Sequence, residues 1–228
     1  MHRSPLPRLA FLAASCLLPA AAFALSDPHW DRQQYIRDLD PEEDSHRESG
    51  HRLEVGLTAS YIFDLGSDAK NQEGWGASLS LLALPKRDPE YQKWQMMFGG
   101  EFYGFSTEGD VWHGGTKFQE SIDSGVILLN FGGTYDLTEW LSIGALVGTG
   151  MGGSYGETKS TLGKERNGNW NYALQIKPMV AVHLSDSASL YAAYRFAYIG
   201  PMYRTELIGY DTVTMLHQSA EIGFTWRF

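Results

Sequence analysis

The chain has 228 residues, is 43% hydrophobic and 13% aromatic, and carries 25 glycines, which fits one or two folded domains and excludes compositional disorder. Its formal net charge of −9 argues against a nucleic-acid partner. The single cysteine, Cys16, excludes an intramolecular disulfide and a thiolate zinc site, and neither a metal nor any other cofactor is expected.

Residues 1–24 read as a cleaved signal peptide. Arg3 and Arg8 form a basic start, an apolar run begins at Leu9, and Ala22-Phe23-Ala24 supplies the small-residue cleavage site. A transmembrane helix is the rival reading, but the uncharged run is near the minimum for a span and Pro19 interrupts it. A lipoprotein would need Leu three residues before Cys16, where the chain has Ala13. Cleavage after Ala24 removes two basic residues and leaves 16 Lys and Arg against 27 Asp and Glu, a net charge of −11.

Residues 25–51 are polar, with acidic groups from Asp27 to Glu48 outnumbering Arg32, Arg37 and Arg47. They are expected to form a flexible acidic periplasmic arm, with a docking peptide around Trp30–Leu39 as the alternative.

From Arg52 onward the pattern beats every second residue. Leu53, Val55, Leu57, Ala59, Tyr61 and Phe63 share one parity against Glu54, Gly56, Thr58 and Ser60. Trp75, Leu79 and Leu81 oppose Gly76, Ser78 and Ser80; Trp94, Met96, Phe98 and Phe102 oppose Gln95, Met97, Glu101 and Tyr103. The fourth segment is apolar on both parities, and Asn130, Gly132 and Thr134 mark its inner face. The fifth sets Leu141, Ile143 and Val147 against Ser142, Gly144 and Gly148; the sixth sets Trp170, Tyr172, Leu174 and Ile176 against Asn171, Gln175 and Lys177. The seventh sets Leu190, Tyr194 and Phe196 against Arg195, and the eighth runs from about Thr212 to Phe228.

Eight alternating segments, each long enough for a tilted bilayer-crossing strand, predict an all-β, eight-stranded antiparallel transmembrane barrel over residues 52–228. Short turns ("LPKRDPEY", "YDLTEW", "HLSDSASL") alternate with longer polar stretches near 65–74, 106–118, 150–168 and 200–211, which are expected to be extracellular loops. Trp75, Trp94, Trp140, Trp170, Tyr135, Tyr172 and Trp226 fall near segment ends, as interfacial girdles require.

The final segment, "EIGFTWRF", closes on an aromatic residue. Through Glu221, Gly223, Trp226 and Phe228 it resembles the C-terminal assembly signal of bacterial outer-membrane proteins. Residues 52–228 resemble the eight-stranded OmpA-like and opacity-type outer-membrane barrels, to which "YDLTEWLSIGA" and "LSDSASLYAAYRF" contribute turn-and-strand phrases. The resemblance implies residence in the cell outer membrane, contact with its lipid and lipopolysaccharide, and insertion by the barrel assembly machinery. It implies no particular activity.

An eight-stranded barrel is just wide enough to be filled by side chains. The inward parity collects Glu54, Glu101, Lys177, Arg195, His217, Glu221 and Arg227, and Glu101, Lys177, Arg195 and Glu221 fall at similar mid-barrel heights. Such charges persist only when paired or hydrated, so a lumen charge network is expected. The primary reading is a structural or surface-interaction barrel without catalysis; the alternative is a narrow porin-like conduit for ions or small solutes. A third reading is enzymatic. His217 and Ser219 echo the His-x-Ser pair of lipid A deacylases, but their parity points them into the lumen, away from an acyl substrate. No loop carries a convincing His–Asp–Ser set of the kind a palmitoyltransferase-type barrel would need. "GDVWHGG", residues 109–115, offers Trp112 and His113 as contacts for an extracellular ligand.

Overall fold

The computed structural model describes residues 51–64, 72–85, 93–161, 163–203 and 212–228. The expected signal peptide and nearly all of the acidic arm lie outside the described residues, as do most of the "LPKRDPEY" turn and the loops over 65–71 and 204–211.

Eight strands follow in order: β1 (His51–Asp64), β2 (Glu73–Pro85), β3 (Trp94–His113), β4 (Thr116–Asp136), β5 (Leu141–Ser160), β6 (Gly163–His183), β7 (Ala188–Tyr203) and β8 (Thr212–Arg227). Each pairs antiparallel with its chain neighbours, and β8 pairs with β1 to close the barrel. Closure pairs the backbone groups of both edge strands, which an apolar surround demands.

The register sets the barrel's shape. From Glu54 the partners run to Leu82, Gly99, Asn130, Gly148, Gln175, Ala197 and His217, and return to the first strand at Asp64, ten residues beyond the start. That stagger fits a strand tilt of roughly 35–45°.

Alternation then sorts the side chains. Along β6, Val180, Ile176, Leu174, Tyr172 and Trp170 face outward and exposed, while Asn171, Ala173, Gln175 and Lys177 are buried in the lumen. The outward apolar belt runs from Trp94 and Phe228 at the short-turn end to Trp75, Tyr172 and Trp170 at the other. From Val182 to Trp170 it is roughly 30 Å tall at ~3.4 Å per residue and this tilt. This matches a bilayer's apolar band with an aromatic girdle at each edge. Trp94 stacks edge-on against Tyr135 at the lower rim, and Tyr61 against Trp75 at the upper. Phe224 departs from the pattern: it has the outward parity but is only 4% exposed, set between its register partners Leu57 and Leu190 and near Trp226.

The short turns are locally encoded. Leu137 and Thr138 donate their backbone N–H groups to the Leu141 carbonyl, and Leu184 and Ser185 do the same to Ala188. The Ser185 hydroxyl also accepts from the backbone of Ser187 and Ala188, the local competition that makes serine a turn residue.

The opposite end corrects two expectations. Residues 106–118 and 150–168 are not loops: β3 and β4 continue to His113 and from Thr116, and β5 and β6 continue to Ser160 and from Gly163. Gly114 and Gly115, at φ of 58° and 80°, form the two-residue turn whose twist matches its flanking strands. The Gly-Gly pair carries that signal in the sequence, but high polarity masked it. β3–β6 therefore rise as a four-stranded sheet several residues above the aromatic girdle.

Candidate functional site

The lumen is layered. At mid-height the ladder brings Glu101 (β3), Lys177 (β6), Arg195 (β7) and Glu221 (β8) together, all at most 2% exposed. Arg195 Nη2 donates to Glu101 Oε1 at 2.5 Å, and its Nε donates to Glu221 Oε1 at 2.5 Å. Lys177 Nζ reaches both oxygens of Glu101, at 3.0 and 3.1 Å. Two acids and two bases thus cancel, and every charge has an opposite partner, the condition for keeping such groups away from bulk water.

Neutral groups complete the network. Asn130 Nδ2 and Gln175 Nε2 donate to Glu101 Oε2 at 2.9 and 3.1 Å, and Gln175 Oε1 accepts from Arg195 Nη1 at 2.6 Å. The Arg195 guanidinium lies 3.9 Å above the Tyr103 ring centroid. Gly148 leaves room for the Asn130–Gln175 pair: a Cβ there would stand 2.1 Å from Asn130 Oδ1 and 3.0 Å from Gln175 Cγ. The sequence puts Asn130, Gln175 and Tyr103 on the inward parity without assigning them a part in the network. Their inward parity was the available signal.

Apolar layers bound the network on both sides. Toward the protruding sheet lie Ile62, Phe105, Val126, Leu128, Ile199 and Met215. Toward the short turns lie Leu82, Leu84, Met97, Leu146 and Met179. A cavity of about 30 Å³ remains on the short-turn side, lined by Lys177, Ser142 and Ser189 among others. It has room for a water or two. Below it, Arg227 Nε bonds Glu54 Oε2 at 2.7 Å.

His217 and Ser219 are fully buried in the lumen. His217 Nε2 lies 2.7 Å from the Tyr103 hydroxyl, and Ser219 Oγ donates to Glu221 Oε1 at 3.4 Å. Among the described residues no hydrogen bond joins the two, so no nucleophile–base pair is built. Of the terminal motif, Glu221 belongs to the charge network and Gly223 clears space for Tyr191, whose ring a Cβ would meet at 2.3 Å. Tyr191 in turn hydrogen-bonds Thr58 over Gly223, the register partner of both. Trp226 and Phe228 lie at the lower rim, with Phe228 73% exposed.

No protein-family model matches the chain, and no curated protein sequence does either. Solved structures do align with it. Ail, the attachment invasion locus protein of Yersinia pestis, solved with the heparin analogue sucrose octasulfate, is 15% identical with a TM-score of 0.44, over 78% of this chain and 97% of that one. Neisserial surface protein A is 13% identical with a TM-score of 0.41, over 79% and 98%. The N-terminal β-barrel domain of Pseudomonas aeruginosa OprF is 10% identical with a TM-score of 0.37, over 77% and 97%. The chain is an eight-stranded antiparallel barrel. Likenesses this distant say nothing of its activity.

Proposed function

We propose that this protein is a resident of the bacterial outer membrane whose barrel is a sealed, non-catalytic anchor for an extracellular interaction surface. The belt of exposed Leu, Ile, Phe and Trp side chains between two aromatic girdles supports the membrane location, since a soluble monomer rarely exposes so large an apolar patch. The single observation that carries the non-conducting reading is the lumen filling: a neutralised charge network held between two apolar layers. An ion would have to break paired charges and pass the apolar side chains that flank them.

The surface-interaction reading rests on the sheet that β3–β6 raise above the girdle, where Trp112 is 69% exposed. The barrel assembly machinery is the partner implied by the terminal strand. The test of the sealed lumen is planar-bilayer recording of the refolded mature chain. Flat baseline current is expected; unitary steps that persist at high protein purity would replace this reading with the narrow conduit. Lipid A acylation that changes on His217→Ala would reinstate the hydrolase.

A further inference from the structure

On the outward face of the β5–β6 hairpin, Lys159 and Lys164 are direct cross-strand partners, as are Glu157 and Arg166. Like charges placed opposite one another cost stability in a ladder. Here three cations share one carboxylate: Lys159 Nζ lies 2.5 Å from Glu157 Oε1, and Lys164 Nζ and Arg166 Nε lie 2.9 and 2.8 Å from Oε2. One acid cannot neutralise three bases, so the cluster keeps an excess of two positive charges on a chain that is acidic overall.

The place of this cluster identifies what it faces. Four residues down β6 from Arg166 is Trp170, 79% exposed, then Tyr172, Leu174 and Ile176. Four residues at this tilt span roughly 10 Å. The same outward face therefore reads, from the bilayer upward, as acyl-facing aliphatics, an interfacial indole, then a cationic cluster. An amphiphile with acyl chains below and phosphates above has that order of groups.

We infer that Lys159, Lys164 and Arg166 form a binding site for the phosphate groups of an outer-leaflet glycolipid whose acyl chains lie along β6. Phosphate oxygens would supply the missing negative charge between the facing lysines, and the guanidinium of Arg166 suits a planar, two-point contact. The inference rests on the proposed outer-membrane location and names one partner of that surface.

The experiment titrates the folded barrel in detergent micelles with phosphorylated lipopolysaccharide, with the same glycolipid after dephosphorylation, and with a sulfated oligosaccharide lacking acyl chains, read by native mass spectrometry. Wild type is expected to bind phosphorylated lipopolysaccharide at least ten-fold more tightly than the Lys159→Gln/Lys164→Gln/Arg166→Gln variant, with no difference for the dephosphorylated form. Glu157→Gln, which frees all three cations, is expected to bind several-fold more tightly than wild type. Equal binding by wild type and the triple variant, or weaker binding by Glu157→Gln, overturns the site. A soluble sulfated oligosaccharide that binds as well as the glycolipid overturns the lipid source. Failure of the location reading has a separate signature, a chain that folds without detergent; failure of the site leaves a heat-modifiable barrel indifferent to phosphate.

Discussion

Replacing Arg195 by Met tests whether the charge network stabilises the barrel. Arg195 is fully buried and holds Glu101 and Glu221, each at 2.5 Å, and Gln175 at 2.6 Å. After its removal Glu101 keeps Lys177 at 3.0 Å, but Glu221 keeps only the long 3.4 Å bond from Ser219 Oγ and the same ammonium at 3.8 Å, beyond hydrogen-bond reach. Glu221 is thus the abandoned charge. Removing one member of a buried pair costs about 3–5 kcal/mol. With a urea dependence of about 2 kcal/mol/M, the unfolding midpoint in lipid vesicles falls by roughly 1.5–2.5 M. Adding Glu221→Gln removes the orphan charge and is expected to recover at least half of the loss. A single variant that unfolds within about 0.5 M of wild type, or a double variant worse than the single, would refute the reasoning.

Gly223→Ala is expected to lower folded yield sharply, because the new methyl would stand 2.3 Å from the Tyr191 ring, and Tyr191→Ala should rescue it. Lack of rescue would mean that Gly223 acts through the assembly signal rather than through lumen clearance. Deleting Phe228 is expected to reduce membrane insertion in cells while leaving refolding into detergent intact; normal membrane yield would count against the signal. Hydrogen bonds from Lys159 and then Lys164 hold the Glu157 carboxyl down to about 2. A carboxylate with a depressed folded value contributes stability that is fully present above its unfolded value and is lost as pH falls toward about 2, so the carbon NMR shift of the Glu157 carboxyl should be flat from pH 7 to 4. A midpoint between pH 4 and 5 would show that Glu157 is not so held.

The two-residue beat made most of the barrel legible. Where one parity was polar, as with Glu54 to Ser60 or Asn171 to Lys177, the inward face followed directly. Strand ends were harder. The stretches around Gly109–Lys117 and Tyr155–Asn167 keep the alternation, but both parities are largely polar, so hydropathy cannot mark them as strand. The lumen charges could be placed at one height by counting from the turns, since side-chain identity and strand position are both local. Their partners Asn130, Gln175 and Tyr103 depended on the ten-residue stagger, which arises only when β8 closes on β1. Tyr191 escaped notice for the same reason: its space is made by Gly223 on the neighbouring strand. The cationic cluster came from cross-strand pairing in a hairpin whose register no single segment reveals.

The central claim is that the outward belt meets acyl chains around a filled lumen. The most direct measurement is cell-envelope fractionation followed by gels of unboiled and boiled samples. A band confined to outer-membrane fractions is expected, migrating differently before and after heating, as an SDS-resistant barrel does. Recovery of the mature chain as a folded, monodisperse species in the detergent-free soluble fraction would contradict it.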